Sequence, residues 1–174
     1  MDDFKANLKT SAFGLIFAIL TLLFGQGLGI VFGVNEDGIK QRLNTSAVEV
    51  KDTVYNSDET LIKPVLDKSW TYMKRAHLHS GGMGTTAVTL IILLCLVSSS
   101  QKVLVLNSLA LGFGGFGYSL FWMWAGFRAP SLGGTSAAKE SLNWLAVPSS
   151  GMFVFATLVV LIVTLSFVFQ KKPN

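Results

Sequence analysis

The sequence is poor in charge. Only 14% of its 174 residues are Asp, Glu, Lys or Arg, where a soluble domain carries about a quarter. Four stretches lack these residues altogether, at 11–34, 77–98, 103–127 and 146–169. Cysteine occurs once, as Cys95. An intrachain disulfide is therefore excluded, and the CxxC and CxxCH patterns of redox, metal and covalent haem sites are missing. There is no HExxH and no GxxxxGK[ST], which removes the zinc-protease and P-loop classes. The "GFGGFG" at 112–117 mimics a nucleotide-binding loop, but it lies inside an apolar run with no strand before it. The acidic residues lie in the polar segments, so no Ser–His–Asp set assembles, and no catalytic activity of its own is expected of the chain.

What is present is apolar. Hydrophobic residues make up 51% of the chain, and the mean hydropathy is +0.53. Each of the four runs reaches the ~20 residues that a helix rising 1.5 Å per residue needs to cross a bilayer. Helices satisfy their own backbone groups where no water is present. The sequence therefore predicts an all-α membrane protein, a four-transmembrane-helix bundle forming a single domain over 1–174. An extramembrane segment at 35–76, containing an amphipathic helix, joins helices 1 and 2, and a second loop covers 128–145. Lys5 and Lys9 before the first run resemble the start of a secretory signal. The run is long and no small-x-small site closes it, so it is expected to be retained.

Loop charge gives an orientation. Lys5, Lys9, Lys102, Lys171 and Lys172 fall on one side. The long 35–76 segment has seven basic residues offset by seven acidic ones. The positive-inside rule, applied to short segments, predicts both termini cytoplasmic in an inner membrane, although Lys74 and Arg75 count against it. Trp70, Trp122, Trp124 and Trp144 all fall at the opposite end, where they are expected to act as interfacial anchors. Within 35–76, Ser57 is the expected N-cap of a helix with Asp58 and Glu59 in its first turn. Pro64 then requires a kink or a later start. Thr135 or Ser136 is expected to cap a short helix carrying Lys139 and Glu140.

The two histidines, His77 and His79, are about 200° apart on a helix and cannot chelate one ion there. The face of His77 continues through Gly81, Gly84, Val88 and Cys95, with Met73 and Trp70 on its other side. That is a groove for another helix or a flat ligand, whereas His79 is expected to project away from it. Candidate cofactor-binding residues are His77, His79, Met73 and Arg128, with His77 the candidate metal ligand and haem b or a quinone the candidate cofactor. Haem would need His plus Met, a five-coordinate iron or a partner's ligand. Arg128 suits a lipid phosphate, a pairing with Glu140, or an anionic substrate group. Small residues allow close helix contact, and Gly25, Gly29, Gly33, Gly81, Gly84, Gly114 and Gly117 are the expected packing positions.

Polarity inside the runs is limited to Gln26, Asn107, Ser108, Thr157 and a few hydroxyls, which argues against an ion-coupled carrier. The reading that results is an accessory or structural subunit of a larger membrane complex, one handling electrons or quinones. The alternatives are a b-haem or metal-binding membrane protein using His77, and a homo-oligomeric channel. Expected partners are membrane lipids and other membrane subunits or further copies of the chain. Nucleic acid has no support, because the net charge of +4 rests largely on terminal lysines that suit anionic headgroups.

Overall fold

A computed structural model describes residues 2–98 and 100–170. It is 89% helix, with no strand among the described residues. The helices are α1 (Asp2–Thr10), α2 (Ala12–Val48), α3 (Lys51–Val54), α4 (Ile62–Val97), α5 (Gln101–Arg128), α6 (Thr135–Glu140) and α7 (Asn143–Phe169). Four of them, α2, α4, α5 and α7, are long and apolar enough to cross a membrane. Lys171 and Lys172 lie outside the described residues.

The long helices alternate in direction. Gly25 of α2 faces Ser80 of α4, Gly84 of α4 faces Leu22, and Gly126 of α5 faces Met73. The helices α4 and α5 form the central pair. α2 packs on both of them, and α7 packs mainly on α5. The main apolar core lies where all four meet, around Ala18, Ile91, Leu94, Leu104, Leu111 and Val160.

The segment between the first two apolar runs is helical for most of its length. α2 carries on fourteen residues beyond its apolar run, and α4 starts fifteen residues before its own. The chain there is a helical hairpin that extends the bundle. Asn35 interrupts α2 with φ −139° and ψ 33°. It stands where the apolar run gives way to Glu36 and Asp37, an N-cap residue type followed by acids that suit a helix N-terminus. Ser57 is not a cap, since it has a positive φ of 62°. Asp58 takes that role, its carboxylate accepting from Thr60 N at 2.9 Å, and its pKa is held down by the bonds from Thr60. The helix then starts late, after the 3-10 turn Glu59–Leu61, which places Pro64 in its first turn. Gly134, rather than Thr135 or Ser136, occupies the cap position of α6.

Each end of the bundle is tied by one buried polar side chain. At the end carrying the termini, Asn7 Nδ2 donates to Cys95 O at 2.9 Å and Ser98 O at 3.1 Å. Those carbonyls belong to the last turn of α4, where no intrahelical donor remains. Gln101 Nε2 donates to Asn7 Oδ1 at 3.2 Å. At the hairpin end, the Tyr55 hydroxyl donates to Pro130 O at 2.7 Å. Tyr55 is 2% exposed, and burial pushes its phenol pKa up.

The helices approach most closely where α2 crosses α5. A methyl added at Gly14 would overlap the main chain of Ser108, and one at Gly112 would overlap Gly14 O. Nothing lies within 4 Å of a methyl at Gly33 or Gly81. Gly14→Ala should therefore lower the thermal midpoint in detergent, whereas Gly33→Ala should stay within about 0.5 kcal/mol of the parent; equal tolerance would contradict the contact. Asn7→Ala should cost about 1–3 kcal/mol, because two carbonyls lose their donor. Unchanged amide exchange at the α4–α5 turn would count against that role.

Candidate functional site

α4 lies between α2 and α5, so its two flanks meet different helices. One flank carries His77. Its ring Nδ1 is 2.8 Å from Gly25 O. A carbonyl can only accept, so Nδ1 carries the proton and Nε2 keeps its lone pair in the neutral ring. A methyl at Gly29 would sit 2.8 Å from His77 Cε1, so the imidazole occupies the notch that the missing side chain leaves. Phe32 meets the ring edge-on at 6.5 Å and meets Trp70 at 5.1 Å. Met73 is 1% exposed, in a cluster with Phe32, Ile39 and Leu43.

His79 is on the other flank and does not project free of the bundle as the sequence implied. It stacks on Trp122 of α5 at 5.7 Å with an interplanar angle of 14°, and meets Tyr118 edge-on at 5.3 Å. Arg75 lies over Trp122 as well, at 5.0 Å, and over the Tyr72 ring at 5.3 Å. Trp122 is thus the hub of a cluster with Tyr72, His79, Tyr118 and Phe121. Its indole Nε1 is buried without a hydrogen-bond partner.

The four candidate residues are not gathered at one point. His77 and Met73 serve the contact with α2, His79 serves the contact with α5, and Arg128 closes the last turn of α5. The ion pairs formed among the described residues are Lys40–Glu36 and Lys51–Glu59, so Arg128 and Glu140 are not paired with each other. No three His, Cys, Asp or Glu side chains converge among the described residues. Of the four tryptophans, Trp124 and Trp144 are 48% and 64% exposed and meet edge-on at 6.4 Å. Trp70 and Trp122 are half-buried. Of the glycines named from the sequence, Gly84 faces Leu22, Gly114 faces Ser149 and Phe153, and Gly117 faces Ser149.

Two clefts of similar size open at opposite ends. One, of about 620 Å³, lies beside Asn7, Cys95, Ser98 and Phe167. The other, of about 590 Å³, runs between α2 and α4 over Leu43, Leu66 and Trp70, with Lys40, Lys63 and Lys74 at its walls. Sequence reasoning had not singled out Asn7, Tyr55 or Gly14. Each is an ordinary residue in its own stretch, and its partner is 75 residues or more away.

The chain matches no known family model, and neither a curated protein nor a solved structure matches it in the comparisons made.

Both histidine side chains fill space against a neighbouring helix. His77→Ala should lower the thermal midpoint in detergent by an amount corresponding to about 1–3 kcal/mol, because Gly25 O loses its donor, and His79→Ala by a smaller amount, about 0.5–1.5 kcal/mol for the lost ring contacts. Silence of either variant would mean that the α4 flank in question is not held as described.

Proposed function

We propose that the chain is a four-span protein of the cytoplasmic membrane, with both termini in the cytoplasm. In this reading it is a non-catalytic structural or accessory subunit of a larger membrane complex that handles electrons or quinones. The observation that carries the reading is the way polar groups in the spans are used. Thr21, Ser80, Ser119 and Thr157 bond to carbonyls of their own helices, and Asn107 Nδ2 donates across to Ala156 O at 3.1 Å. Spent in this way, they support a packed scaffold better than a solute path. The apolar surface supports it further. In the most apolar window of α7 only 11% of residues are buried within the chain, which leaves a broad face for lipid or other subunits. The aromatic cluster around Trp122, close to the hairpin end, supports the quinone-handling context. It offers flat π surfaces at the protein's edge-on and stacked aromatic pairs.

One observation favours the second reading, a b-haem or metal-binding protein using His77. Ligating histidines commonly donate their other ring nitrogen to a carbonyl or carboxylate, and His77 Nδ1 is bonded in this way to Gly25 O. The ring lies against Gly29, so a ligand would have to enter from the α2–α4 seam.

Purification from native membranes in mild detergent separates these readings. The subunit reading expects co-purifying membrane proteins and no haem absorbance. A Soret band abolished by His77→Ala would replace it with the second reading. For orientation, Asn44→Cys in a Cys95→Ser background should be labelled from the outer side of the membrane. Labelling from the cytoplasmic side alone would invert the topology.

A further inference from the structure

We propose that the chain pairs with a second copy of itself through the outward face of α2, with the two Gln26 carboxamides hydrogen-bonded to each other. The proposal rests on the membrane reading above and adds the identity of one partner.

The starting point is a carboxamide. Of the two in the apolar runs, Asn107 Nδ2 donates across to Ala156 O. Gln26 makes no such bond. It is exposed, and its carboxamide makes no hydrogen bond among the described residues. It lies about 12 Å along the helix from the polar end of its run. A carboxamide at that depth in hydrocarbon has neither water nor lipid headgroup as a partner, and leaving it unpaired costs free energy.

The face around it is arranged like a seam. Ile16, Ile19, Leu23, Gln26, Ile30 and Gly33 follow one another at alternating steps of three and four residues, and all are exposed. The four apolar side chains among them are 51%, 43%, 55% and 69% exposed in chain order. This spacing places knobs along one line of a helix that packs on another in a left-handed pair. The buried residues of α2, among them Gly14, Ala18, Thr21 and Gly25, form a different line, turned toward α4 and α5. A single polar residue within an apolar seam is the device that fixes register and partner number in paired helices.

The occupant follows from electrostatic complementarity and symmetry. A carboxamide carries two N–H donors and a carbonyl acceptor, so its partial charges complement those of an identical group turned to face it. Two copies inserted in the same orientation are related by a twofold axis along the membrane normal. That axis puts every residue at the same depth as its own counterpart, so Gln26 meets Gln26 without adjustment. Any other membrane partner would need a donor and an acceptor placed at that same depth.

The test uses the full chain in native membranes, in the Cys95→Ser background. Cysteines at Leu23 and Ile30, on the seam, should cross-link into dimers on oxidation. Cysteines at Leu20 and Val31, also exposed (42% and 46%) but off the seam, should not. Adding Gln26→Leu to the seam variants should weaken self-association by about 3- to 30-fold, as read by dilution in detergent or lipid. Gln26→Asn should retain part of it. Gln26→Leu adds apolar surface, so an unchanged thermal midpoint will show that the bundle still folds. Absence of cross-linking, equal cross-linking on and off the seam, or wild-type association of Gln26→Leu would each overturn the pairing. Retention after an alkaline carbonate wash separates the two claims. A chain that stays in the membrane without pairing refutes the pairing alone, and a chain washed out refutes the membrane reading with it.

Discussion

Among the described residues, four side chains reach across to a main-chain carbonyl of another element, and the arrangement of helices depends on them. Asn7 holds the last turn of α4, His77 holds α2, Asn107 holds α7, and Tyr55 holds the loop after α5. In the membrane setting proposed above, apolar side chains alone would fix such a bundle weakly, because a Leu gains little by leaving lipid for another Leu. A donor carried into an apolar interface has few acceptors in reach, so it sets both register and rotation. The four side chains act at four different junctions. α4 and α5 take part in most of them, which agrees with their place as the central pair.

Expectations such as Gly14→Ala rest on contacts that the sequence shows unevenly. The four spans were legible, because the absence of charge over some twenty residues has a single physical meaning in a helix. The polar side was legible in part. A helix ahead of His77 is readable from its cap and acidic first turn, whereas the continuation of α2 past Val34 is not, since mixed residues such as those at 36–48 can form a helix once a partner helix packs on them. The cap at Asp58 was displaced by one residue from Ser57. The turn there needs a positive φ at Asn56 and Ser57, and local pattern does not reveal that.

The two histidines show a different limit. Their angular separation was legible, and from it followed that they do not serve one ion on a helix. The further step, that one of them must face outward, assumed that α4 has one buried side. A helix between two neighbours has two, and His77 and His79 fill one each. Sequence periodicity reports a buried stripe well on a peripheral helix and poorly on a central one, where the polar residues are also packed.

The glycines of α2 do not share one face. Gly25, Gly29 and Gly33 are four residues apart, a pattern that reads as one packing face. Four residues turn a helix about 400°, so each step drifts about 40° and the third glycine lies about 80° round from the first. Exposure follows the drift: Gly25 is buried, Gly29 is intermediate and Gly33 is exposed. Seven residues, by contrast, return to within about 20° of the starting angle. Gly33 therefore shares its face with Gln26 rather than with Gly25. The pattern that seemed to continue the inner contact instead crosses from it to the exposed side of the helix.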